Sequence, residues 1–516
     1  NTSDDHAVAI DPISLKRVEV VRGPAALLYG PNAVGGVVNQ IDGRIPDRRL
    51  ERPVSGRADV RVDSPSTGKA GALLVEGGFK NGWNYHLDGF RRESDNLAIP
   101  GFAQTAAQRA TTGDTTAGKL PGSQSTSDGG AAGASYVWDQ GYLGASFQGV
   151  NNDYGVVTDP AVSIRLHQRR FDLAGAWLEP FAGLQSIKYK LGRADYRHTE
   201  YDAGAAGTIF NSQAYNGRFE ALHTQVGRLE GALGYEIREE RLNAIGAEAF
   251  LPPSRTVINS LFLFEELKWD TLRVQFGGRV DFVTADAEAL AASPLAVVPN
   301  PLLAGDSRRF TTSSGSVGVV YRPVQEWSGA VNASYTQRAP TVTELYAFGP
   351  HAATGAFEVG NRNFNSEGNL SVDVSLRRET GHVTGQVGFF YHRFSNFMAP
   401  LAGTLGGAAL VNEDGLNADD GSTALNGGVA GDGLADRDAD ADGVVDDTLN
   451  VLTFRGVRAE FYGAEGLVTW HMLEDDTHSL HLDLKADYVR ARDLSNGGSL
   501  PRISPLRFGG ELGYDR

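Results

Sequence analysis

The feature that most constrains this chain is a period of two. In "LRVQFGGRVDFV", Leu272, Val274, Phe276, Val280 and Phe282 fall on one face, while Arg273, Gln275, Arg279 and Asp281 fall on the other. "SLHLDLKADY" opposes Leu480, Leu482, Leu484, Ala486 and Tyr488 to His481, Asp483, Lys485 and Asp487, and "WNYHLDG" sets Trp83, Tyr85 and Leu87 against Asn84, His86 and Asp88. Successive side chains of a strand point to opposite faces, so this alternation specifies strands with one apolar face.

Alternation alone fits a soluble sandwich as well as a membrane barrel, and the connections separate the two. Short ones fall at Asn81-Gly82, Asp139–Gly141, Glu179–Gln185, Thr224–Arg228, Trp269–Thr271, Arg322–Trp327, Arg377–His382 and Leu473–His478. Long polar segments lie between them, at about 93–128, 151–168, 198–214, 240–258, 284–312, 338–370, 395–452 and 492–505. Outer-membrane barrels sort their connections in this way, with tight periplasmic turns and longer extracellular loops. The expected fold is therefore all-β, a transmembrane antiparallel barrel with about eighteen strands present. The last, Leu506 to Tyr514, would be left without a partner. An open edge in lipid strands its backbone polar groups, so further strands are expected beyond Arg516.

Composition supports this reading by exclusion. No run of 18 or more apolar residues offers a helical span, and the absence of Cys removes disulfides, thiolate metal sites and Cys nucleophiles. A net charge of −16 argues against nucleic acid. Residues 412–447 contribute −10 of it, leaving −6 for the rest. Within that stretch "DRDADADGVVDD" resembles an EF-hand loop, with Asp438, Asp440, Asp442, Gly443 and Asp446 near template positions. The twelfth position is Leu449, though, and no amphipathic helices flank it. Asp436, Asp438, Asp440, Asp442 and Asp446 are candidates for a calcium-binding site, the alternative being a solvated acidic loop that concentrates cations over the barrel mouth.

The first fifty residues break the pattern. "RVEVVRGPAALLYGPNAVGGVVNQID" is Gly-rich and not alternating; Gly30 and Gly35 have phosphate-loop spacing, but Gly36-Val37 stands where Lys-Ser/Thr would be needed. "VEVVRGPAALLYG" followed by "GGVVN" resembles the end of the plug domain of TonB-dependent outer-membrane receptors. That resemblance implies a barrel of 22 strands when complete, blocked by the plug. It implies residues 1–50 as the C-terminal part of the plug, here truncated, and 51–516 as the barrel, with an acidic extracellular loop at about 395–452. With neither an initiator Met nor a visible signal peptide at Asn1, the chain reads as an internal piece of a longer precursor.

"DDHAVAIDP" (Asp4 to Pro12), "ELYAFGPHAATGAFEVGN" (Glu344 to Asn361) and "AEFYGAEG" (Ala459 to Gly466) resemble segments of the zinc-uptake branch of that family. The resemblance implies metal ligands at Asp5 and His6 on the plug surface and at Glu344 and His351 in the outward 338–370 segment. Such donors suit zinc where thiolates are lacking. Glu344 follows Arg338-Ala339-Pro340 and could instead cap or pair structurally. His86 and His392 read as inward-facing on strands, and Glu19 and Arg22 as plug-to-barrel contacts. One departure stands out: the His-rich outer loop of the zinc branch is matched only by His167. The implied activity is TonB-dependent import of a metal ion, zinc first, across the bacterial outer membrane. The alternative is a receptor for a siderophore or other chelate, which Tyr346, Phe348 and Phe357 beside Glu344 keep open. No enzymatic chemistry, cofactor or nucleic-acid partner is expected. The expected partners are TonB with its inner-membrane energising complex, outer-membrane lipid and the metal or chelate, with the protein itself a monomer.

Overall fold

A computed structural model describes residues 12–21, 24–30, 36–202, 204–246, 249–292, 295, 299–351, 354–411, 449–475 and 477–516. Asp5, His6, Arg22 and the acidic positions Asp436, Asp438, Asp440, Asp442 and Asp446 lie outside the described residues. Eighteen strands, from Ser55–Asp63 to Arg507–Asp515, pair antiparallel in chain order in one sheet. Among the described residues no ladder joins the first of these to the last.

The two faces of the sheet invert the usual soluble arrangement. On the strand Leu272–Ala287, Phe276, Val280 and Phe282 are exposed, whereas Arg279 and Asp281 are 2% and 0% exposed. On Trp83–Ser94 the apolar Trp83 and Leu87 are exposed, and Asn84, His86 and Asp88 are buried. A sheet that turns its apolar face outward and its charges inward is stable only when the outside is lipid. All six tryptophans (83, 138, 177, 269, 327 and 470) stand at or within a few residues of the short turns, where an aromatic girdle meets the membrane interface.

The tight turns form as their sequences require. At Asn81-Gly82 the chain reverses with Gly82 at φ 94°, and a Cβ there would meet the Val137 carbonyl oxygen at 2.4 Å. Several of the long polar segments, in contrast, are strand rather than loop. Leu184–Asp202 and Ala205–His223 run through 198–214 and are joined by residues 203–204 alone. Leu449–Glu474, at 26 residues, is more than twice the roughly ten that a tilted strand needs to cross the bilayer. The outer hairpins stand beyond the membrane, where neither face meets lipid, so both can be polar and the period-two signal fades.

Between the strands, a small sheet (Leu97–Phe102 with Ala117–Leu120) and a capped helix, Ala106–Thr112, follow the third strand. A short helix, Val342–Tyr346, and the strands Phe348–His351 and Ala356–Val359 follow the thirteenth. At the N-terminus Leu15–Val21 pairs with Val37–Asp42 as a separate hairpin, linked through the 3-10 turn Pro24–Tyr29.

Candidate functional site

The N-terminal hairpin crosses the lumen. Its leading turn, Pro12–Ser14, packs against the strands Gly68–Gly78 and Trp83–Ser94. The turn Pro24–Tyr29 packs against four consecutive strands from Ser254–Lys268 to Trp327–Arg338, on the other side. Arg44, just after the hairpin, is held on the wall by Asp88, with Nε and Nη2 donating to the two carboxylate oxygens at 3.0 and 3.2 Å, and it also donates to Gln148. His86 closes the same cluster, its Nε2 3.0 Å from Asp88 and its Nδ1 3.5 Å from Glu76. Small residues make this close approach possible: a Cβ on Gly133 would lie 1.9 Å from the Arg44 carbonyl oxygen, and one on Gly77 would lie 1.9 Å from that of Pro53.

A second anchor lies further round the wall. Arg218 donates to the Leu28 carbonyl and pairs with Glu220 and, at 3.3 Å, with Glu236. Arg279 bridges Glu236 at 3.2 Å and Asp281 at 2.7 Å, and both guanidinium groups face the Phe262 ring. Glu19, expected to reach the barrel, instead accepts hydrogen bonds within its own hairpin, from Asn39 at 3.0 Å and Arg17 at 2.6 Å. Those two bonds, Asn39 first, hold its carboxyl below the usual carboxylate range. Residues 19 and 39 face each other in the hairpin register, so the near partner takes the carboxylate. Arg44 and Arg218, which join the hairpin to the wall, and Arg279, which braces Glu236, the wall partner of Arg218, were not among the expected contacts. Their signal was present for Arg279, which falls on the polar face of "LRVQFGGRVDFV".

Toward the long-connection end, apolar residues of the outer segments pack together in clusters. Phe210, Leu242, Phe250, Leu251 and Ala347 form one cluster, and Ala285, Leu345, Tyr346, Phe364 and Met398 another. Leu302, Phe348, Phe357 and Val451 form a third. Beneath them lies a cavity of about 420 Å³, to whose wall Arg238, Glu240, Glu344, His351, Glu358 and Arg502 bring charge or hydrogen-bonding groups and Phe454 an aromatic face.

Two of the proposed metal ligands thus share one cavity, but each already has a partner. Glu344 closes a capping box: Thr341 Oγ1 accepts from the Glu344 amide at 3.2 Å, and the carboxylate accepts from the Thr341 amide at 2.7 Å. Both oxygens also accept from Arg338, each at 2.8 Å, and Arg338 in turn pairs with Glu367 at 2.9 Å. A carboxylate doubly bonded to a guanidinium has little to offer a cation, so the capping alternative describes Glu344 in this structure. His351 Nδ1 lies 3.0 Å from Glu358, whose carboxylate also accepts from Thr354, and the ring stacks on Phe250 at 4.3 Å. Among the described residues no group of three or more His, Asp or Glu side chains is placed to hold a metal ion. His86 and His392 face inward as expected, His392 hydrogen-bonded to Asn369 at 3.0 Å.

Residues 82–516 match the family described as TonB dependent receptor-like, beta-barrel, and residues 1–37 match the TonB-dependent Receptor Plug Domain. The chain belongs to the TonB-dependent receptor family. It is 22% identical over 453 residues to the ferric enterobactin receptor PirA of Pseudomonas aeruginosa, covering 76% of this chain and 57% of that receptor. This chain therefore spans little more than half the length of that relative. A shorter match, 53% identical over 38 residues, is to a hemin receptor of Yersinia pestis and covers 7% of this chain and 6% of that one. Among solved structures the copper transporter OprC superposes with a TM-score of 0.75 at 13% identity, over 98% of this chain and 71% of that one. The siderophore receptor PirA from Pseudomonas aeruginosa gives 0.63 at 14%, over 99% and 81%. At these identities the likeness shows the fold. TonB-dependent receptors are outer-membrane β-barrels, and the relatives named are receptors and transporters rather than enzymes.

Proposed function

We propose that this TonB-dependent receptor imports a metal chelate across the outer membrane, drawing on TonB and its inner-membrane energising complex. The observation that carries this reading is the cavity above the hairpin. Its wall mixes Arg238 and Arg502 with carboxylates, threonines and Phe454, and at about 420 Å³ it falls in the size range of small-ligand pockets. Charged side chains of both signs beside an aromatic suit a chelate that presents oxygen donors and rings. A bare ion would call for three or four converging ligands. The relatives whose names refer to ferric enterobactin, hemin and siderophores agree in class.

A second reading, import of free zinc, keeps one specific support. His351 and Glu358 form a buried nitrogen–oxygen pair on the cavity wall, to which Asp5 and His6 would have to add ligands. Equilibrium binding on the full-length protein separates the two. Arg238→Ala with Arg502→Ala should weaken a ferric catecholate or carboxylate chelate at least ten-fold and leave Zn²⁺ unaffected. His351→Gln with Glu358→Gln should do the reverse if zinc is the cargo. No loss of any chelate in the arginine variant would overturn the chelate reading.

A further inference from the structure

We propose, building on the chelate reading above, that cargo descends from the cavity along one wall of the lumen, formed by the inner faces of Asp306–Val324 and Trp327–Arg338, and that Thr312 and Thr336 hydrogen-bond it on the way. Three layers stand one below another on the same run of strands. Thr256, Ile258 and Val283, with Ala339 and Thr341 just past the outer end of Trp327–Arg338, line the cavity. Ile258 pairs opposite Val283. The next inward pair below is Ser260 opposite Asp281, with Thr312 opposite Asp281 on the following strand. Two inward positions lower, Gly277 meets the hairpin, since a Cβ there would lie 3.8 Å from Leu27. The turn Pro24–Tyr29 that carries Leu27 packs on all four strands from Ser254–Lys268 to Trp327–Arg338. A pull that withdraws this turn therefore uncovers the wall directly beneath the cavity.

The chemistry of this wall suits passage. Val317, Val319 and Tyr321 on one strand and Val331 and Tyr335 on the other are exposed on the lipid side. Alternation therefore turns Thr312, Ser314 and Ser316, and Asn332, Ser334 and Thr336, toward the lumen. No charge stands among these six, whereas Leu184–Asp202 and Ala205–His223 present Lys188, Lys190, Arg218 and Glu220 inward. Small side chains alone would mark only a smooth surface, and four buried atoms say more. Asp281 Oδ2, Thr312 Oγ1, Thr336 Oγ1 and Asn369 Oδ1 have no hydrogen-bond partner among the described residues, and none of these four residues is more than 4% exposed. They occupy four neighbouring strands, Asp281 facing Thr312 and Thr336 facing Asn369. Buried polar atoms are almost always paired, and one left alone burdens the folded state with its desolvation. Groups kept for stability alone would be paired or apolar. The two hydroxyls donate or accept, while the carboxylate and amide oxygens only accept. A chelate that offers hydroxyls, amide N–H groups or metal-bound water satisfies them in passing. Contacts this few also let it leave again, as a path requires.

The test places single cysteines in the full-length protein with no other cysteine present; residues 1–516 contain none. Ser314→Cys lies on the proposed wall, and Ala194→Cys on the inner face of Leu184–Asp202. In cells that energise TonB, a membrane-impermeant thiol reagent should label Ser314→Cys at least ten-fold faster than in cells lacking TonB. Ala194→Cys should show no such dependence. Uptake of radiolabelled ferric citrate and of a ferric catecholate gives the second readout. Thr312→Val with Thr336→Val should lower the maximal uptake rate several-fold, hold the binding constant within two-fold, and leave thermal stability equal or higher. Ser314→Phe should lower uptake at least ten-fold, and Ala194→Phe should not. Labelling of Ser314→Cys that ignores TonB, or an equal response at Ala194→Cys, overturns the path whatever the cargo. Full uptake in the valine variant, or a loss of stability in it, overturns the role of the two hydroxyls. A wild type that binds neither complex while its cysteine variants label as expected overturns the chelate reading and not the path.

Discussion

At the residue scale the outcome turns on which partner reaches a carboxylate first. Glu344 was readable as a ligand or as a structural cap or pair, since its place just after Arg338-Ala339-Pro340 allowed both. What decided it, the approach of Glu367 to the other side of Arg338, comes from a residue 29 positions away and is invisible in the local string. Glu344→Gln keeps a capping side chain but removes the ion pair to a guanidinium that is 15% exposed. The expected loss is about 1–3 kcal/mol of local stability, read as faster amide exchange at Leu345 and Tyr346 in metal-free protein. A residue serving only as a metal ligand would leave that exchange unchanged. Glu19 gives the corresponding pH prediction. Its carboxyl titrates below its ordinary value of 4.5 because Asn39 and Arg17 hydrogen-bond the charged form. A depressed folded-state pKa contributes stability above 4.5 that is lost as pH falls through the lower, folded value. Amide protection in Leu15–Val21 should therefore hold from neutrality down to about 4.5 and fall only below it. In Glu19→Gln this acid step should be absent.

At the level of elements the sequence was most informative where lipid imposes one rule on every strand. The belt strands alternate because one face must be apolar, and the short turns betray themselves through residues such as Gly82. Above the membrane that rule lapses, and strands such as Leu184–Asp202 continue with polar side chains on both faces. Their polarity made them read as loops. The small helix Val342–Tyr346 was hidden for a different reason, since five residues are too few to show a 3.6-residue period. The six tryptophans were a signal within reach, because each marks the interface end of a strand. Leu263, exposed on the belt face of Ser254–Lys268, tests the assignment of that face. Leu263→Arg should lower barrel stability by about 2–4 kcal/mol near the bilayer midplane, measured as a shift in the urea midpoint for folding into vesicles. Gly82→Ala should lower it by about 1–3 kcal/mol through positive-φ strain, with added cost from contact with the Val137 carbonyl. A neutral result at Leu263 would mean that the face is not in lipid.

For the whole molecule the question is how a segment that must stay in place at rest can also be released by pulling. Two of the contacts that pin the hairpin, besides Arg57 on the Ile13 carbonyl, lie five strands apart: Arg44 on Asp88 in the third strand, and the Leu28 carbonyl on Arg218 in the eighth. Between these pins the contacts are polar and glycine-lined, and Val18, Val20 and Val38 of the hairpin are exposed. Attachment therefore depends on a few charge-assisted bonds more than on a continuous apolar interface, which a directed pull can break in sequence. Neither pin could be read in the sequence, since each joins a residue of the first 44 to a wall residue 44 or 190 positions further on. Asp88→Asn leaves the buried Arg44 without its full charge partner, a change that costs about 3–5 kcal/mol when a buried pair is broken. Arg218→Met removes the other pin while keeping some of the packing on Phe262. The two sites share no partner, so their effects should add. In hydrogen exchange, each single variant should speed exchange in Leu15–Val21 and Val37–Asp42, and the double variant should do so by the product of the two factors. The strand ladders away from the two sites should keep wild-type protection. If neither variant changes the hairpin while the barrel stays intact, the charges on the wall are not what holds it.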